Sequence, residues 1–237
     1  LGQVKSVDEL KKQITENVQQ EKKMKEEQRL EGEILDKIAK EFDLIVIEDA
    51  AEAQGASYKN RMVGSLSDAA TFSFFGNKII TTGEGGMVVT NNLEIAEKCR
   101  LLRNHGMTKD KRYWHEVVGY NYRLTNIQAA IGVAQMEVIE DRVNKKREIF
   151  EWYKEFLDDI EEIEFMPELP NSKGNRWLTA LVFHKTDFNK IIIALTDINV
   201  ESRPLWKPMH MQPVFKDALA FVDGTSEEFF KKGLCLA

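Results

Sequence analysis

TFSFFGNKIITTGEGG, residues 71–86, runs from an apolar and aromatic segment into Lys78, which small residues surround. TFSFF at 71–75 predicts a strand, and MVVT at 87–90 predicts another close behind it. Upstream, LIVIE at 44–48 is a short continuous run of branched apolar residues. It follows EILDKIAKE at 33–41, whose Ile34, Leu35, Ile38 and Ala39 share one side of a helix. A helix leading into such a run predicts a buried parallel strand of an α/β sheet.

Working outward, Asn91 with Glu94 three residues on resembles a capping box opening the helix LEIAEKCRLLRN, which Gly106 would close. Thr125 and Gln128 make a second such pair. Behind them Ile127, Ile131, Ala134 and Val138 keep helical spacing, and the pattern predicts one helix running to about Leu157, long enough to bridge two domains. PELPNSKGN is a break, WLTALVF a strand, and the remainder a smaller α/β unit. At the other end, residues 5–32 are rich in Lys, Glu and Gln, with Leu10, Ile14, Val18 and Met24 as sparse apolar points. That composition suits a solvated helical arm, or one that leans on a partner.

The 237 residues are 43% hydrophobic and 30% charged, enough for one large or two small domains. A net charge of -6 argues against general affinity for nucleic acid or anionic lipid. With no apolar run of bilayer length and no signal segment, a soluble cytoplasmic protein without membrane contact is expected. Cys99 and Cys235 lie far apart, and His105, His115, His184 and His210 are scattered, so no metal site is expected. Neither a phosphate-loop lysine motif nor GxGxxG is present.

Two residues stand where chemistry is usual. Asp49 sits at the carboxyl end of LIVIE, where ligands of open α/β sheets bind, although it could equally cap the next helix. Lys78 follows an apolar strand, and its small neighbours would let a planar ring approach the backbone. Ser73 could offer a hydroxyl to a phosphate or face a neighbouring strand.

EDAAEAQG (48–55), TFSFFGNKIITTGEGG (71–86), GYNYRLTNIQAAIG (119–132) and ESRPLWKPMH (201–210) together resemble the DegT/DnrJ/StrS family of nucleotide-sugar aminotransferases, with all four blocks in the family's order. FFGNK, ITTGEGG and RYWHEVVGYNYR are similar to perosamine-type members, and RPLWKPMH and KKREIFEWYKEFL to bacillosamine-type ones. The resemblance implies an α/β fold, part of the fold-type-I large domain (a mixed sheet flanked by helices) plus a small C-terminal α/β domain. Its organisation would be a polar arm over 1–32, a partial cofactor-binding large domain over 33–130, and a bridging helix with the small domain over 131–237.

The implied cofactor is pyridoxal 5′-phosphate. Lys78 would hold it as a Schiff base and act as general base, Asp49 would pair with the pyridine nitrogen, and Glu52 would lie near the phenolic oxygen. Ser73 would bind the phosphate, joined by Asn121 from the neighbouring subunit of a homodimer. Arg203, Trp206 and His210 stand where the family contacts the nucleotide-sugar, although Trp206 could equally be ordinary core. The implied reaction moves an amino group from glutamate to a nucleotide-linked 4-keto-6-deoxy sugar. Related dehydratases carry His at the position of Lys78. A keto-sugar dehydratase, or an incomplete fragment that only dimerises, are the other readings. Family members run longer at both ends, so the resemblance implies a chain incomplete at its N- and C-termini, lacking the first strands and a phosphate-binding turn.

Overall fold

The computed structural model describes residues 11, 12, 15, 16, 18, 19, 22 and 23, and then 34–236. Most of the expected arm lies outside the described residues; its described positions are helical and exposed. The chain divides into two compact units, Leu1–Glu137 with Glu168–Gly174, and Val138–Pro167 with Asn175–Ala237.

In the first unit, helix α1 (residues 34–41) closes with Asp43 in the left-handed region at φ 50 and a bond from the Leu44 N–H to the Ala39 carbonyl. That 6→1 bond satisfies a carbonyl the helix leaves orphaned. The expected buried strand over 44–48 is shorter and more exposed than its composition suggests. Strand β1 is Ile47–Asp49, and Ile47 is 65% exposed. Among the described residues β1 pairs with β4 alone, at one side of its three-stranded sheet. Strands β2 (Ser57–Tyr58) and β3 (Arg61–Met62) form a hairpin whose turn residues Lys59 and Asn60 both have positive φ, as a two-residue type I′ turn requires.

Strand β4 (Ala69–Ser73) lies centrally, parallel to β1 and antiparallel to β5 (Gly86–Thr90). Helix α2 (Leu93–Arg103) follows, and its cap is Asn92 rather than the expected Asn91. The Asn92 Oδ1 accepts from the Glu94 and Ile95 N–H groups at 2.9 and 3.2 Å. Its C-terminus repeats the design of α1, with His105 at φ 62 and the Gly106 N–H on the Leu101 carbonyl at 3.0 Å. Helix α3 (Asn126–Glu137) opens with the expected reciprocal cap: Thr125 N–H donates to Gln128 Oε1 at 3.0 Å, and Gln128 N–H to Thr125 Oγ1 at 3.2 Å. The single helix expected to reach Leu157 is two, because the chain leaves helical geometry at Val138 before α4 (Ile139–Leu157). No Pro or Gly marks this break; it falls at the boundary between the two units.

After β6 (Ile163–Phe165) the chain returns to the first unit for β7 (Ser172–Lys173), which pairs with β2. PELPNSKGN is therefore this excursion. The second unit is completed by β8 (Thr179–Phe183), α5 (Phe188–Asp197), β9 (Ser202–Pro204), α6 (Thr225–Lys232) and β10 (Gly233–Leu236). Its sheet runs β6-β8-β10-β9 with every pair antiparallel. Alternation along β8 buries Thr179, Leu181 and Phe183, and the last two meet Leu234, Leu236 and Phe188 in the core of this unit. Burying a side chain such as Leu181 or Leu234 contributes about 1.5–3 kcal/mol.

The cap assignment is testable. Asn92→Ala should cost about 1 kcal/mol in chemical denaturation, and Asn91→Ala under about 0.5 kcal/mol. Equal losses would place the cap wrongly.

Candidate active site

Parallel pairing sets Asp49 of β1 opposite Thr71 of β4, so both strands release their following loops on the same side. The Ala50 N–H bonds the Thr71 carbonyl at 2.9 Å, and the exposed Asp49 carboxylate accepts from the Ala51 N–H at 3.2 Å. Asp49, an exposed residue, thus caps its own turn.

Gln54, which sequence reasoning missed, is buried behind this turn at 3% exposure. Its Nε2 donates to the Ala51 carbonyl at 3.1 Å and also to the Ser73 carbonyl. It therefore ties the loop after β1 to the end of β4. The one signal available was a lone amide in a run of small residues, EDAAEAQGA. Glu48 was also missed: its carboxylate accepts from the Gly64 and Leu66 N–H groups, both at 2.9 Å, and holds the loop entering β4.

Ser73 Oγ accepts from the Phe75 N–H at 3.3 Å and begins the turn that carries Lys78. The Lys78 N–H bonds the Phe75 carbonyl at 3.1 Å, and the Thr82 N–H bonds that of Phe74 at 3.0 Å. Ile79 and Ile80 are buried and anchor the segment just after the lysine. Lys78 Nζ lies 2.9 Å from Glu52 Oε1, with side-chain exposures of 11% for the lysine and 47% for the glutamate. Asp49, Glu52, Ser73 and Lys78 are thereby gathered at one end of the β1–β4 pair. The glycines near Lys78 have different surroundings. A Cβ on Gly83 would meet nothing within 4 Å, whereas one on Gly85 would sit 2.4 Å from Leu124 Cδ2.

Asn121 belongs to the same unit but another segment, where it forms an isolated bridge with Asn104. On either side, the Tyr120 and Tyr122 N–H groups bond the Leu102 and Arg103 carbonyls, and the two rings stack at 4.9 Å. Arg203, Trp206 and His210 belong to the second unit. Arg203, opposite Cys235 in the sheet, has its guanidinium 6.0 Å from the Trp206 ring, which lies 6.0 Å from that of Trp177. Trp206 is 58% exposed and so is not a core residue. His210 Nε2 sits 3.0 Å from Glu227 Oε1 and ties the short turn Met209–Met211 to α6. Among the described residues no group of three or more His, Cys, Asp and Glu is placed to hold a metal, and no helix is long and apolar enough to cross a membrane.

The model of the DegT/DnrJ/EryC1/StrS aminotransferase family matches residues 29–237. The GDP-perosamine synthase of Caulobacter vibrioides is 43% identical over 195 residues, covering 78% of this chain and 53% of that protein. The GDP-perosamine synthase of Escherichia coli O157:H7 is 41% identical over 181 residues, covering 76% and 49%. Among solved structures, PseC of Helicobacter pylori, an aminotransferase involved in the biosynthesis of pseudoaminic acid, superposes with a TM-score of 0.78 at 29% identity, covering 84% of this chain and 56% of that one. The fold is thus the expected α/β one, a portion of the fold-type-I architecture. The chain spans about half the length of the curated relatives it matches.

Gly85 offers a check on the turn behind Lys78. With φ +110 and Leu124 so near, Gly85→Ala should destabilise the fold by roughly 1–3 kcal/mol. Adding Leu124→Ala should relieve the clash but not the backbone strain, which a double-mutant cycle measures.

Proposed function

The chain belongs to the DegT/DnrJ/EryC1/StrS aminotransferase family, and from that premise we propose that Lys78 is the amine of a pyridoxal-phosphate site that moves an amino group from glutamate to a nucleotide-linked 4-keto-6-deoxy sugar. The observation that carries this reading is the Lys78–Glu52 pair at the open end of β1 and β4, beside Asp49 and Ser73. The donor set fits the cofactor: a primary amine on a short anchored turn, a carboxylate on an exposed residue, and a hydroxyl at a strand end. When bound, the cofactor supplies an electron sink for the carbon that gains or loses the amino group.

Each residue of the chain has its own task in that reading. Lys78 holds the cofactor and takes up and returns a proton at Nζ. Glu52 orients that Nζ through its ion pair at 2.9 Å. Asp49 would hold the cofactor at its pyridine nitrogen, where a carboxylate favours the protonated ring, and Ser73 and Asn121 would hold its phosphate, Asn121 from the second subunit of a homodimer. Arg203, Trp206 and His210 receive the nucleotide-sugar, the guanidinium suiting a diphosphate and the exposed indole a ring face. The names of the perosamine synthases support a 4-amino-6-deoxy sugar product, and a cytoplasmic place of action suits such a substrate. A lysine at position 78 supports transamination over dehydration.

Mixing the chain with pyridoxal phosphate and reducing with borohydride should leave a pyridoxyl group on the tryptic peptide containing Lys78. Lys78→Ala should lose the label while keeping its circular dichroism. Label scattered over surface lysines, or absent from Lys78, would sink the reading.

The two tasks of Asp49 separate in Asp49→Asn, whose side-chain oxygen still accepts from the Ala51 N–H. Its melting temperature should match that of the unaltered chain. The glutamate half-reaction, followed by absorbance, should slow by on the order of 100-fold. An unchanged rate would reduce Asp49 to a cap.

A further inference from the structure

We propose that Gln54 is a positioning residue that sets the spacing between Glu52 and the Lys78 amine, an inference that rests on the aminotransferase reading above. The loop after β1 carries Glu52, and its own bonds are local. The Ala53 N–H meets the Ala50 carbonyl at 3.0 Å, and the Ala56 N–H meets that of Ala53 at 3.0 Å. Such turns shape the loop without fixing it against β4. Gln54 supplies that tie, because its amide nitrogen donates to the Ala51 carbonyl at 3.1 Å and also to the Ser73 carbonyl across the strand pair. Glu52 follows Ala51 directly, and Ser73 begins the turn that carries Lys78.

Each acceptor of this brace is therefore a short step from one member of the ion pair. Gln54 is buried, so removing its two donors leaves the Ala51 and Ser73 carbonyls without them, away from free water. The loop relieves that by opening towards solvent, and Glu52, already 47% exposed, moves out with it. Lys78 does not follow. Bonds through Phe74 and Phe75, and buried Ile79 and Ile80, hold its turn independently of Gln54. The 2.9 Å contact between Glu52 and Lys78 is thus what the loss of Gln54 lengthens. An amide suits the task because it donates at every pH, whereas a carboxyl group of the same size donates only while protonated.

Three readouts on the 237-residue chain test this. Gln54→Met keeps the length of the side chain and removes both donors, and borohydride labelling of Lys78 at subsaturating pyridoxal phosphate should fall roughly tenfold. Acetylation of the same amine by acetic anhydride in the cofactor-free chain, read against exposed lysines by mass spectrometry, should instead rise about threefold as the ion pair loosens. In Gln54→Glu, the Lys78 label relative to that of the unaltered chain should fall as pH rises from about 5 to 8, while circular dichroism stays constant. Asn92→Ala, which weakens the cap of α2 in the same unit, should change neither label nor acetylation by more than about twofold.

Unchanged label and acetylation in a folded Gln54→Met, a pH-independent ratio in Gln54→Glu, or an equal loss of label in Asn92→Ala would each overturn the proposal. Where Gln54→Met does not fold, the pH series of Gln54→Glu decides alone. The unaltered chain separates the two readings. Lys78 labelled there but indifferent to position 54 removes only this inference, whereas no label at Lys78 strikes the aminotransferase reading and this one with it.

Discussion

Parallel pairing of Ile47–Asp49 with Ala69–Thr71 is the constraint from which the candidate site follows. Two parallel neighbours end on the same side, so the loop carrying Glu52 and the turn carrying Lys78 meet there without any long-range contact having to bring them together. A one-residue slip would send Asp49 to the other face of the sheet and separate the two loops. The register is held by more than the ladder. Asp68 accepts the Val46 N–H at 2.9 Å at one end of the pair, and Gln54 links the Ala51 and Ser73 carbonyls at the other. Those side chains matter because the strand is short and lies at a sheet edge, where few backbone bonds are available.

How far the sequence foretold this arrangement depends on which signal was local. Thr125 with Gln128 is complete within four residues, and it formed as read. The LIVIE reading differs in its burial because hydrophobicity does not tell an edge from a centre; the pairing partners decide that, and among the described residues β1 has one. Asn91 and Asn92 are equally good caps by composition. The choice between them is made by the Thr90 hydroxyl, which accepts the Asn92 N–H at 3.0 Å and sets the path of the chain into α2. Val138 ends α3 without a breaker residue, where the chain passes from one unit to the other. In the candidate site, Lys78 and Ser73 stand in the 71–86 stretch, and the structure places both at the end of β4. The resemblance implied a ring contact for Glu52, and its 2.9 Å bond to Lys78 carried no signal in the sequence. Gln54 carried no motif at all, because its work is to satisfy carbonyls that exist only once the two strands are paired.

The two units differ in how they hold their polar groups. In the second, a strand buried along its whole length, β10, is clasped between β8 and β9, and an aliphatic and aromatic cluster forms on the sheet. In the first, polar side chains carry much of the order: Glu48 gathers the loop before β4, and Gln54 the loop after β1. Hydrogen bonds of this kind are directional where apolar packing is not. They suit a region whose product is the placement of a few atoms.

The Lys78–Glu52 pair is best understood in the same terms. An ion pair with one member half open to water contributes little to folding, on the order of 0–1 kcal/mol. Taking a lysine side chain down to 11% exposure also costs hydration and side-chain freedom. The ion pair by itself therefore adds little to folding. What it does achieve is geometric: the amine is held at one spot by Glu52 from the side, by the bonds through Phe74 and Phe75 from behind, and by buried Ile79 and Ile80 just beyond it. If Lys78 is the amine of the proposed site, this placement is what it needs, because a nucleophile is useful in proportion to how narrowly its position is defined.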